Sequence, residues 1–95
     1  MTVMKVTVRV FGDLAPLLGR RHALELDEGA TVSALTSLMA GKAGLKRGGY
    51  LGSYRVGGSE LAVLVNGRNI NLLDGVKTIL QDGDEVVILP PTPGG

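Results

Sequence analysis

The residues with most to offer chemically close the sequence: Pro90, Pro91, Thr92, Pro93, Gly94 and Gly95. Gly95 offers a backbone carboxylate with no Cβ beside it, so a catalyst can approach its carbonyl carbon closely. A carboxylate is a poor acyl donor at neutral pH. The usual remedy is conversion by ATP to an acyl-adenylate, from which the acyl group passes to a nucleophile. Gly94 and Gly95 can be drawn through a narrow channel that side chains would obstruct. Pro90, Pro91 and Pro93 favour extended backbone and carry no N–H, which predicts a tail that projects from the preceding strand. No charged side chain follows Glu85, so threading the tail into a partner would bury no unpaired side-chain charge.

The rest of the chain excludes much other chemistry. It contains no cysteine, which rules out disulfides, thiolate metal sites and thiol nucleophiles on its own side chains. The single histidine, His22, stands where a loop enters a strand and reads as structural. Asp82-Gly83-Asp84 lacks the remaining positions of a calcium loop and reads as a turn; no metal is expected. Neither glycine-rich phosphate-loop spacing occurs. Ten Lys+Arg face nine Asp+Glu, a formal charge of +1 with the charges scattered, unlike the footprint of a nucleic-acid binder. No apolar run approaches a membrane span and no signal segment is visible, so a cytoplasmic protein with neither nucleic-acid nor membrane partners is expected.

Ninety-five residues suit one domain. With Phe11, Tyr50 and Tyr54 its only aromatic residues, the core is expected to be aliphatic. Val6, Val8 and Val10 alternate with Lys5, Thr7 and Arg9, the period of a half-buried strand. Asp13 is placed to cap a helical turn over Leu14 to Leu18, with Pro16 early and Gly19 at its end. Leu24 and Leu26 alternate in a second strand. From Thr31, an N-cap residue, Val32, Leu35, Leu38 and Met39 fall at helical spacing, closed by Gly41 and Gly44. Residues 44–59, rich in glycine, read as an inserted loop of the 1–89 domain that serves mobility or a partner contact. Leu61 to Val65 is an apolar strand; Asn66-Gly67 is a hairpin turn, with a brief return strand from Arg68 to Ile70. Ile79 and Leu80 are expected core anchors, and Glu85 to Leu89 the last strand. The order ββαβββ predicts an α+β domain, a mixed five-stranded sheet packed on one main helix.

Order and tail together resemble the ubiquitin-like β-grasp sulfur carriers, above all the small subunit of molybdopterin synthase and the archaeal small modifier proteins. The likeness is carried by VLVNGRNINLLDGVKTILQDGDEVVILPPTPGG at residues 63–95, with FGDLAPLLG and LDEGATVSAL upstream. Leu89 departs from a Phe common before the Pro pair, and Pro93 from a smaller residue. The resemblance implies that a separate adenylating enzyme, akin to ubiquitin-activating enzymes, uses ATP to activate Gly95. Sulfur then replaces AMP to give a thiocarboxylate, so that sulfur rides on a chain without cysteine. It further implies a carrier subunit that binds no cofactor itself and passes its tail to a molybdopterin synthase large subunit, donating sulfur in molybdenum or tungsten cofactor synthesis. Capture of the activated tail by a target-protein lysine is the modifier alternative; an interaction module with an inert tail is another. Leu64, Ile88 and Leu89 are candidates for an apolar docking patch near the tail.

Overall fold

The computed structural model describes residues 2–91. Strand β1, Val3–Val10, buries Met4, Val6, Val8 and Val10 and turns Val3, Lys5, Thr7 and Arg9 to the other face. Strand β2, Arg21–Asp27, lies antiparallel to it with Val6 opposite Leu24 and Met4 opposite Leu26. Between them a 3-10 turn, Gly12–Leu14, runs into the single-turn helix α1, Ala15–Leu18, which ends at Gly19. Asp13 does not cap this turn. Its carboxylate instead accepts a hydrogen bond from the Tyr54 hydroxyl at 2.7 Å, tying the connector to the insertion. His22 stands opposite Val8 with its Nε2 buried, without a hydrogen-bond partner, against Gly19.

Helix α2, Val32–Lys42, starts at Thr31, whose side chain accepts from the Ala34 amide at 3.2 Å. Its end is a Schellman motif: the Leu45 amide donates to Ala40 O at 2.9 Å and the Gly44 amide to Gly41 O at 3.1 Å. Gly44 holds φ +76 there, a conformation that glycine adopts freely. Val32, Leu35, Met39 and Ala40 enter the core, whereas Leu38, expected in the stripe, is 38% exposed. Thr36 takes the inner place. Its hydroxyl donates to Val32 O at 3.0 Å, which is what allows a polar residue there.

The 44–59 insertion is not structureless. Strands β3, Tyr50–Leu51, and β4, Tyr54–Arg55, pair as a small hairpin, and Leu51 is fully buried against the core. Strand β5, Ala62–Val65, turns through Asn66 (φ +50) and Gly67 (φ +84) into β6, Arg68–Asn69. Ile70 starts a 3-10 turn instead of extending that strand. Leu80 is buried, but Ile79, the other expected anchor, is 60% exposed and holds only a backbone bridge to Thr31.

Strand β7, Glu85–Leu89, completes a five-stranded sheet in the order β2-β1-β7-β5-β6, with β1 and β7 parallel at its centre and the other pairs antiparallel. One face is covered by α2, and the core between them contains no aromatic residue. This is the β-grasp arrangement. The aspartates before β7 act as turn residues: Asp82 accepts from the Lys5 amide at 2.8 Å, and Asp84 from the Gln81 amide at 2.8 Å and the Asn66 side chain at 2.9 Å. Among the described residues no group of acidic or histidine side chains is arranged to hold a metal.

Candidate functional site

The parallel pairing of β1 and β7 brings the ends of both strands to one edge of the sheet, with Val10 beside Ile88. The Phe11 amide continues the ladder by donating to Ile88 O at 3.1 Å. Pro90 cannot donate, so pairing of β7 stops there. Its ring rests on Gly12, where a β-carbon would stand 2.7 Å from the Pro90 Cγ and where φ is +67. Only glycine satisfies both conditions. The root of the tail is therefore seated at a defined point, with Pro90 half-buried and Pro91 exposed. Pro93, Gly94 and Gly95 lie outside the described residues.

Of the three residues expected in the docking patch, Ile88 is a correction. It is fully buried and belongs to the core, because β7 alternates and sends Val86 and Ile88 toward α2. Val87 and Leu89 take the opposite face. There Leu64 is paired with Val87 and Ala62 with Leu89; none of the four is fully buried, while Val63, Val65, Val86 and Ile88 between them are. Leu64 and Leu89 thus share a face with Val87 and Ala62, which the sequence did not single out. Val86 to Leu89 is an unbroken apolar run in which period two is invisible; only the register with β5 assigns the faces.

This apolar face is rimmed by charge and one aromatic ring. Arg9 stands beside Val87 and opposite Arg21, and its guanidinium lies 5.3 Å from the ring centre of Phe11, which is 41% exposed. A cleft of about 440 Å³ opens here between Arg9, Phe11, Gly12, Arg20 and Arg21. Next to Gly12, the insertion is held by the Tyr54 to Asp13 bond. That hydrogen bond, reinforced by burial and by the negative charges of Asp13 and Glu60, raises the Tyr54 phenol above its ordinary value of 10.0. No described residues at the tail root form a metal cage.

Comparison with known proteins bears on this arrangement. Residues 8–95 match the model of the ThiS family. A protein of Archaeoglobus fulgidus provisionally named a sulfur carrier protein is 37% identical over 79 residues, 76% of this chain and 83% of that protein. Small archaeal modifier protein 3 of Haloferax volcanii is 36% identical over 94 residues, 97% of this chain and all of that protein. Among solved structures, SAMP1 from Haloferax volcanii superposes with a TM-score of 0.74 at 26% identity, covering 96% of this chain and 99% of that one. One chain from the complex of subunits 1 and 2 of molybdopterin-converting factor from Helicobacter pylori superposes with a TM-score of 0.60 at 29% identity, covering 97% of this chain and 100% of that one.

Proposed function

The chain belongs to the ThiS family, a group of sulfur carriers and ubiquitin-like modifiers, and from that premise we propose that it is a sulfur carrier charged at Gly95. A Gly95 carboxylate oxygen attacks the α-phosphorus of ATP on an adenylating enzyme and pyrophosphate leaves. Hydrosulfide, or a donor that delivers its equivalent, then attacks the acyl carbon. The bond to AMP breaks, and Gly95 ends as a thiocarboxylate with AMP and a proton released. The acceptor proposed for that sulfur is a pterin precursor held by a molybdopterin synthase large subunit; the Helicobacter pylori two-subunit complex supports this choice.

The observation that carries the reading is that the family match runs through Gly94 and Gly95 to residue 95. The seat of Pro90 on Gly12 supports it, since it fixes the point from which the tail departs. Intact mass of the chain from its source cells tests it. One oxygen replaced by sulfur is expected on free protein, and deletion of Gly95 should abolish sulfur transfer while the folded domain persists. Transfer that survives the deletion would overturn the reading.

The relatives named small archaeal modifier proteins favour a second use of the same adenylate. In it a lysine amine of a target attacks the acyl carbon, AMP leaves and an isopeptide forms. Higher-mass conjugates that vanish with Gly95 deletion would establish that use, and their persistent absence would remove it.

A further inference from the structure

The formal charge of +1 conceals a separation of charge along β1. Six of the nine acidic residues, Glu25, Asp27, Glu28, Asp82, Asp84 and Glu85, gather around its first half, through pairing with Val3, Lys5 and Thr7 and through bonds to Thr2, Lys5 and Thr7. At its other end Arg9, Arg20 and Arg21 line a cleft that contains no carboxylate. The nearest acid in sequence, Asp13, is engaged by Tyr54. The acid closest along the ladder, Glu85, pairs with Thr7, two residues or about 7 Å from Arg9 at the rise of a strand, and does not line the cleft. The cleft itself therefore keeps an excess of positive charge.

Beyond the contact of Arg9 with the Phe11 ring, the fold gives no reason for this cluster. Arg9 and Arg21 are direct cross-strand partners, an arrangement of like charges that weakens a sheet. Arg20 and Arg21 are exposed, so neither fills space in the core. What the cluster does have is position: it borders the apolar Val87 and Leu89 face and adjoins Gly12, on which the tail root sits. We propose that Arg9, Arg20 and Arg21 form a docking site for an acidic surface patch on the adenylating enzyme that activates the tail, and that they orient the chain tail-first as it approaches. The site rests on the reading of the tail as an activated acyl donor. Guanidinium groups suit the role because they pair with carboxylates in a two-pronged geometry and remain charged.

Two experiments separate the site from the reading it rests on. The 15N-labelled full chain is titrated with a hexaglutamate peptide at low salt. Shifts are expected at Arg9, Phe11, Gly12, Arg20 and Arg21, lost in the triple variant Arg9→Gln, Arg20→Gln, Arg21→Gln and retained with lysine at the same positions. Shifts at Lys46, Arg47 and Arg55 instead, no shifts, or binding of pyrophosphate but not of the peptide would overturn the proposal. ATP–pyrophosphate exchange is then followed on the purified adenylating enzyme. The glutamine variant should raise KM about tenfold with kcat unchanged and flatten its dependence on salt; an unchanged KM would overturn the site. A wild-type chain that binds the peptide yet supports no exchange would remove the tail reading and leave the arginine site standing.

Discussion

Ile88 is completely enclosed between β7 and α2, so its truncation to alanine should cost about 2–5 kcal/mol and lower the melting temperature accordingly. Val87, one residue earlier, faces the other way. Val87→Asp should cost less stability than the Ile88 truncation, because Val87 is only half-buried, and weaken association with the protein that receives the tail, measured by calorimetry on the purified pair. If Val87→Asp unfolds the domain, the face has been misassigned. Gly12 makes a sharper case. Alanine there must adopt φ +67 and meet Pro90, at a cost of about 1–2 kcal/mol for the left-handed backbone alone. For a domain of this size each kcal/mol lowers the melting temperature by roughly 4–8 °C. Thermal unfolding followed by circular dichroism checks it, and an unchanged midpoint would mean that the Pro90 seat is not rigid. The sequence showed Gly12 only as one glycine among fifteen. Its role depends on a residue 78 positions later, and no local pattern records that.

Among the elements, those with long unbroken patterns were legible. The alternation of β1, the Thr31 cap of α2 and the Asn66-Gly67 turn all stand where composition put them. Thr31→Ala should therefore cost about 1 kcal/mol by leaving the Ala34 amide without its side-chain partner, seen as a lower denaturant midpoint with unchanged slope. The hairpin β3–β4 was not legible, because two-residue strands between glycines carry no period to read. It is held by the buried Leu51 and by the Tyr54 to Asp13 bond, neither of which is a local signal. Tyr54→Phe should speed amide exchange at Val56, which donates to Gly49 across the hairpin, and leave the main sheet protected. Alkali should do the same. With the phenol raised in the folded protein, the contribution of this bond is whole below pH 10 and is lost as pH rises through the higher folded value. Protection of Val56, taken relative to the intrinsic base-catalysed rate, that is indifferent to both changes would show that the hairpin is held by Leu51 alone.

For the molecule as a whole, the β-grasp order and the tail were readable together, whereas the charge separation was not, since counting charges along a sequence cannot reveal which strands become neighbours. The same neighbour relation has a consequence for how the protein is made. The central strand β7 is the last strand of the sheet to leave a ribosome, and its parallel partner β1 is the first. Synthesis proceeds from the N-terminus, so β1 and β2, and then β5 and β6, are all made before Glu85 to Leu89 arrives to join them. The seat on Gly12 is occupied only after that insertion. Correct assembly and the seating of Pro90 on Gly12 thus become a single event. A nascent or misassembled chain has no seated tail root, and a partner that read that root would also inspect the fold.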